Sequence, residues 1–338
     1  MANRVQILID GNAVGYAAHN MDPLKNTDGD QVQAVIGFLA TIRAMKNEFP
    51  DGNMIVLWDG RSWRHDALPT YKATRDADLS VFDTSKPMSE AEDRLYQKAL
   101  KKAAHRAAYK KQGPWLKEAV SCLGIPQVTC GNYEADDLAA IFTDTYVAKG
   151  LPVRLITSDG DWMQLVQNRV VWKQSRSPYM MVNTSNFHEK AKVSEVRGFP
   201  DAKTFLEAKL LAGDGGDNIS GIGGFGPKTL EAFYQSFGNL DRFYDLTREE
   251  VETIYRTDHS KKAPKPIMHL HEVGLDNPAI EFNRTLMDLR TPNRPKPEKF
   301  RTEKGELDRD RLLRLTKRLD LYRLSSDLDR FIKTFEKD

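Results

Sequence analysis

Three continuous apolar runs, each ended by an aspartate, constrain this chain more than any other feature. Residues 5–9 read VQILI and stop at Asp10-Gly11-Asn12; residues 54–58 read MIVLW and stop at Asp59-Gly60; residues 151–157 read LPVRLIT and stop at Ser158-Asp159-Gly160-Asp161. Runs without polar alternation are strands buried on both faces, the pattern of a parallel sheet covered by crossover helices. Apolar spacing through Val32, Val35, Ile36, Leu39, Ile42 and Met45 predicts a helix over residues 31–49, between the first two strands. Residues 170–172 read as a further short strand, and residues 178–183 as an exposed strand or hairpin. In open parallel sheets, ligands bind beyond the carboxyl ends of the strands. Asp10, Asp59 and Asp159 are therefore expected to converge although far apart in sequence.

More acids recur at similar places. Glu134, Asp136 and Asp137 occupy the first turn of a helix predicted over 133–146, and Asp214 and Asp217 lie in GDGGDN after a helix over 202–211. Acids in a first helical turn are favourable dipole partners, which accounts for one or two of these but not the set. Crowded carboxylates repel and need cations between them. Hard cations such as Mg²⁺ take oxygen ligands, and paired divalent ions lower the pKa of a bound water and stabilise a leaving oxygen during phosphodiester cleavage. The pattern points to a metal-dependent nuclease.

Bulk composition decides less. The net charge is +2 with 29% charged residues, so only the distribution of charge speaks to nucleic acid. Cys122 and Cys130 form no C-x-x-C pair, which argues against a thiolate zinc site or a disulfide framework and for free thiols in a reducing cytoplasm. No apolar stretch approaches membrane-spanning length.

Between the second and third runs lies a polar insert over roughly 61–115. Tyr71, Lys72 and Arg75 near its start suit stacking and phosphate clamping. Ser89 and Glu92 form a capping box, opening a helix expected to run to about Lys111, where Gly113-Pro114 stops it. Lys98, Lys102, Arg106 and Lys110 follow at i+4 spacing on a face without bulky apolar residues, so this helix should stand out from the body. Farther on, GIGGFGPKT at 221–229 imitates a nucleotide-binding loop, but Pro227 interrupts it and no strand precedes it. A glycine turn of the helix-hairpin-helix kind fits better, with Gly221, Gly223, Gly224, Gly226, Lys228 and Thr229 facing a DNA phosphate. Trp58, Trp162, Phe233 and Phe237 read as core, His269 and His271 as surface residues, and segments 256–266 and 290–304 as basic loops.

As an ordered set, DGN, WDG, LPTYKATRD, YEADD, TSDGDWMQL and GDGGDNISGIGGFGPKT resemble the 5′ nuclease superfamily: flap endonucleases, bacteriophage 5′→3′ exonucleases and the nuclease domain of bacterial DNA polymerase I. The resemblance covers about residues 4–290. It implies an α/β fold with a mostly parallel sheet, a helical arch over 76–114, and a DNA-gripping helix-three-turn-helix at about 205–237. The chain is read as a core (1–175, including the insert over about 61–115), a helical DNA-binding region (176–290) and, beyond the resemblance, a basic linker with C-terminal helices (291–338). By the same resemblance Asp10, Asp59, Glu134, Asp136 and Asp137 surround a first Mg²⁺, and Asp159, Asp161, Asp214 and Asp217 complete a second, with Mn²⁺ as a substitute. Lys72 contacts the scissile phosphate with Arg75 as its neighbouring arginine, and Lys72, Arg75 and Asp159 make up the catalytic set. Tyr71 stacks on a displaced nucleotide, and backbone carbonyls of the glycine turn hold K⁺. The implied partners are DNA with a 5′ flap or 5′ end and RNA/DNA hybrids, cleaved by a monomer in the cytoplasm (the host's, if phage-encoded) during primer removal and flap processing, with no membrane involved. The alternatives are a non-catalytic DNA-binding protein, a PIN-type RNase and a nucleotide-driven motor.

Overall fold

The computed structural model describes residues 4–75, 79–82, 88–175, 179–274, 276–291 and 293–336. Positions 76–78 and 83–87 of the expected arch, and Pro178 of the expected hairpin, lie outside the described residues. The strands are β1 (Gln6–Asp10), β2 (Asn53–Leu57), β3 (Gln127–Thr129), β4 (Val153–Thr157), β5 (Val170–Gln174), β6 (Met181–Val182), β7 (Gly213–Asp214), β8 (Ile219–Ser220) and β9 (Arg301–Glu303). Seven form one sheet in the order β6-β5-β4-β1-β2-β3-β9. Strands β5, β4, β1, β2 and β3 are parallel, and the two edge strands pair antiparallel. Strands β7 and β8 make a separate small ribbon.

Register explains why the acids share one rim. Asp10 pairs with Leu57, and Ile9 with Ile156. Asp10, Thr157 and the residues just past Leu57 therefore emerge level with one another, so the chain after each strand opens onto the same edge.

The helices are α1 (Gly11–His19), α2 (Gln33–Glu48), α3 (Arg64–Ala67), α4 (Glu90–Cys122), α5 (Ala135–Ala148), α6 (Phe187–Lys190), α7 (Ala202–Ala212), α8 (Pro227–Phe237), α9 (Leu240–Asp245), α10 (Arg248–His259), α11 (Lys265–Val273), α12 (Pro278–Met287), α13 (Arg309–Arg318), α14 (Tyr322–Ser326) and α15 (Leu328–Lys333). Successive strand residues face opposite sides. Leu8, Leu57 and Leu155 share a core with Leu138 of α5 and Leu210 of α7. Ile7, Ile9 and Ile156 share another with Phe38 of α2, Leu116 of α4, and Leu315 and Phe331 of the C-terminal helices. Both sheet faces are covered, as the unbroken apolar runs predict.

Two expectations need correction. Helix α4 does not stop at Gly113-Pro114 but runs to Cys122 with Pro114 inside it. An interior proline costs about 3 kcal/mol. Leu116 and Val120, both fully buried, contribute about 3–6 kcal/mol together, so packing holds the helix through the proline. Only its first half is largely exposed; beyond His105 one side packs against α1 and α2. Secondly, segment 290–304, expected as a basic loop, contains a strand. Strand β9 extends the sheet beside β3, and Leu312, Leu315, Phe331 and Ile332 enter the core.

Among the described residues, no helix is long and apolar enough to cross a membrane. Both cysteines are buried and free.

Candidate active site

The rim of the sheet gathers eight of the nine predicted acids, in two electrostatic environments. Asp10 ends β1 and caps α1: its Oδ1 accepts from the Ala13 N–H at 2.8 Å and its Oδ2 from the Thr157 hydroxyl at 2.8 Å. The same Thr157 oxygen accepts from the Asp159 N–H at 2.9 Å, so one hydroxyl ties the ends of β1 and β4. Asp59 stands at the mouth, exposed on its outer side while its carboxyl is enclosed, with Oδ1 accepting from the Ala135 N–H at 2.9 Å. Asp136 accepts from the indole N–H of buried Trp162 at 2.6 Å, and Asp159 from the Asp161 N–H at 2.9 Å.

No basic group directly contacts these four among the described residues. Burial, reinforced by the Asp59 charge, pushes the Asp10 carboxyl up to about 7. Burial and Asp161 push Asp159 up to about 6. Burial and Asp159 raise Asp136 well above the usual carboxylate range, and enclosure beside Glu134 raises Asp59. Each shift marks a carboxylate whose charged form lacks a counterion.

The other half is compensated from within. Glu134, at the N-cap of α5, takes bonds from Ser62, Arg64 and Tyr71 at 2.8, 3.1 and 2.9 Å, and an ion pair from Lys72. Burial alone would raise its carboxyl, but Lys72 and Arg64 outweigh it and hold it at about 2. Lys209, buried on α7, bridges Asp161 and Asp214, the latter at 3.2 Å. Burial of Asp214 is likewise outweighed by Lys209, and its pKa is lowered. Arg75 pairs with Asp217. The Lys72 N–H donates to the Asp217 carbonyl at 3.1 Å, and Lys72 itself takes a left-handed φ of 57°, a conformation costing about 1–2 kcal/mol outside glycine.

Asp137 departs from the predicted set. Its two oxygens accept from Arg64 at 3.0 and 2.8 Å, and one also accepts from the Glu134 N–H at 3.0 Å. It is the third residue of a capping box, with its lone pairs turned to the protein rather than the rim. Tyr71 departs too. It is 3% exposed, and its hydroxyl lies 2.9 Å from both Glu134 and Asp217, one proton shared between the two carboxylates. Its ring is thus a buried brace and not a stacking platform.

Sequence reasoning missed Ser62, Arg64, Thr157, Trp162 and Lys209. A lysine five residues before Asp214, within an otherwise buried helical face, was the one legible hint. The partners of the others are set by tertiary contact.

The predicted glycine turn joins the same centre. Asp214 starts the β7–β8 ribbon, and Asn218 donates to the Thr70 carbonyl at 3.1 Å. A Cβ on Gly221 would run into the Ala212 carbonyl, and Gly224, at φ +85°, would meet Pro266, so both are glycine for packing reasons. Gly223 and Gly226 face open space. Gly226 caps α8 without a side-chain bond and Pro227 fills its first position, leaving an exposed helix N-terminus with Lys228 exposed and Thr229 half-buried. Lys98, Lys102 and Lys110 are exposed on α4, and Arg106 is half-buried there.

All the acids offer hard oxygen donors, and half of them lack a counterion, which fits divalent ions. As the side chains stand, no group of three or more His, Cys, Asp or Glu among the described residues is arranged to hold a metal ion. Lys72, Lys209 and Arg75 instead reach in among the acids.

Comparison with known proteins places this architecture. The chain is 31% identical over 228 residues to a 5′-3′ exonuclease of Streptomyces coelicolor, covering 65% of this chain and 67% of that one. It is 26% identical over 242 residues to DNA polymerase I of Deinococcus radiodurans, covering 71% of this chain but 21% of that protein's length. In fold it is similar to the bacteriophage T5 flap endonuclease in a structure with DNA and metal ions, at a TM-score of 0.54 and 22% identity over 98% of this chain and 100% of that one. The model of the 5′-3′ exonuclease N-terminal resolvase-like domain matches residues 5–194. That match takes in β1 to β6 and every acid from Asp10 to Asp161, more than half of the sequence, and the chain belongs to the 5′-3′ exonuclease family.

Proposed function

We propose that this chain is a structure-dependent 5′ nuclease, cleaving phosphodiesters near a 5′ end or 5′ flap of DNA or RNA/DNA and leaving a 5′-phosphate. The observation that carries this is the convergence of acids from five separate segments on one rim, with half of them uncompensated. Asp10, Asp59, Glu134 and Asp136 are the ligands for one Mg²⁺, and Asp159, Asp161, Asp214 and Asp217 for a second, with Mn²⁺ able to replace either. When bound, such ions supply an activated water and stabilise the departing 3′ oxygen.

The protein's own groups do the rest. Thr157 and the Ala13 N–H fix both oxygens of Asp10, and Trp162 fixes one oxygen of Asp136, so the donors are oriented before ions arrive. Lys72 and Arg75, now paired with Glu134 and Asp217, are the cations closest to hand for a scissile phosphate, where they would offset its charge. The exposed N-terminus of α8, with Lys228 and Thr229, grips a duplex phosphate, and the preceding turn offers backbone carbonyls to K⁺. The basic face of α4 guides the strand carrying the 5′ end. Primer removal and flap processing during replication suit this chemistry.

A gel assay tests it: a 5′-flap duplex, an RNA/DNA hybrid and single-stranded RNA, each with Mg²⁺ or chelator. Cleavage near the 5′ junction only with Mg²⁺, abolished by Asp159→Asn with Asp161→Asn, is expected. Cleavage that survives chelator or the double change would overturn the mechanism. Cutting of single-stranded RNA alone would indicate an RNase, and binding without cutting a non-catalytic protein.

A further inference from the structure

Helix α4 reaches the acidic rim through Tyr109. The Tyr109 hydroxyl donates to the Asn12 carbonyl at 3.0 Å, in the first turn of α1, two residues after Asp10. The Asn12 side chain in turn accepts from the Asp59 N–H at 3.3 Å. Tyr109 is thereby linked to the ends of both β1 and β2. The hydroxyl lies within the field of the acids: burial, with the charges of Asp10 and Asp59, raises its pKa.

The chain makes room for this contact. A Cβ on Gly15 would stand 2.8 Å from the Tyr109 hydroxyl oxygen and 3.0 Å from Leu116, so a side chain there would push the tyrosine away. Around it the helix is pinned independently. His19 bonds the His105 carbonyl at 2.9 Å and the Gln112 amide at 3.0 Å, and Gln112 accepts from the Ala34 N–H at 3.0 Å. The Tyr109 ring packs edge-on to Tyr16 at 5.2 Å. With the helix root held by these contacts and by Leu116, the hydroxyl itself is not needed to seat α4.

We infer that Tyr109 is a positioning residue, acting through Asn12 to set the placement of Asp10 and Asp59 from the base of the long basic helix. This rests on the nuclease reading above. It makes the orientation of α4 and the readiness of the acidic rim one property.

Tyr109→Phe keeps the ring and removes the hydroxyl. The expected result is about fivefold weaker Mg²⁺ binding to the metal-free chain by calorimetry, the loss of roughly one hydrogen bond, and a similarly slower single-turnover cleavage of a 5′-flap duplex. The melting temperature and the affinity for product duplex should match the parent. Gly15→Ala should reproduce the loss, and the double variant should lose no more than either alone. Unchanged Mg²⁺ affinity in Tyr109→Phe, or losses that add in the double variant, would overturn the inference. A fall in melting temperature with Mg²⁺ affinity unchanged would reduce Tyr109 to packing. If the parent chain failed to cut at all, the nuclease reading would fall, and the Mg²⁺ titration would still decide the role of Tyr109.

Discussion

The acidic rim has two halves that differ in who balances the charge. Asp10, Asp59, Asp136 and Asp159 hold raised carboxyls with no basic partner in contact among the described residues. Glu134, Asp161, Asp214 and Asp217 are paired with Lys72, Lys209 and Arg75. The sheet forces Asp10, Asp59 and Asp159 together, because the ends of β1, β2 and β4 cannot move apart without breaking ladder bonds, and α5 brings Asp136 to them. The second half is drawn together by its own cations, on loops and helices. An incoming divalent ion therefore relieves strain in one half and competes with an ammonium in the other.

The most severe way to break this contrast is Asp10→Asn. Cleavage should fall on the order of a thousandfold, while the metal-free protein should melt about 2 °C higher, because a repelling charge is gone. A lower melting point in chelator would mean that the acid is compensated after all. Glu134→Gln should do the opposite in chelator, destabilising by about 3 kcal/mol because the buried cations Lys72 and Arg64 lose a partner, as denaturant melts would measure.

Asp10 and Asp159 should also titrate in the opposite direction to Glu134. Asp10 and Asp159 have folded-state values above their unfolded one, near 7 and 6 against 3.8. The folded state therefore binds more protons between them, and the metal-free protein should lose stability as pH rises from about 4 to about 7. Glu134, held at about 2 against 4.5, contributes stability above pH 4.5 that is lost only as pH falls toward 2. Melting curves across pH in chelator test this, and saturating Mg²⁺ should flatten the slope between 4 and 7. The smallest effect concerns neither half. Lys98→Ala, on the exposed part of α4, should reduce the slope of log affinity against log salt by about 1 for flap DNA.

Much of this was legible in the amino-acid order. VQILI, MIVLW and VRLIT announced the parallel strands, and the aspartates behind them announced the rim. Asp137 misled because its three-residue spacing from Glu134 serves a capping box as well as a ligand pair, and Arg64, which decides between them, lies on a distant helix. Tyr71 reads as an aromatic beside two cations, and nothing local says that its hydroxyl is buried between Glu134 and Asp217. Gly113-Pro114 is a sound local stop signal, overruled by Leu116 and Val120. The tail shows helical spacing through Leu312 and Leu315, but periodicity does not say which surface an amphipathic face will cover.

That surface has a temporal consequence. Ile7 and Ile9 share their core with Leu315, Phe331 and Ile332, which lie far along the sequence. Contacts between residues so distant in sequence form late and slowly. Until α13 and α15 are made, the hydrophobic underside of β1 and α2 would be only partly sheltered, a window in which chaperone engagement would be strongest.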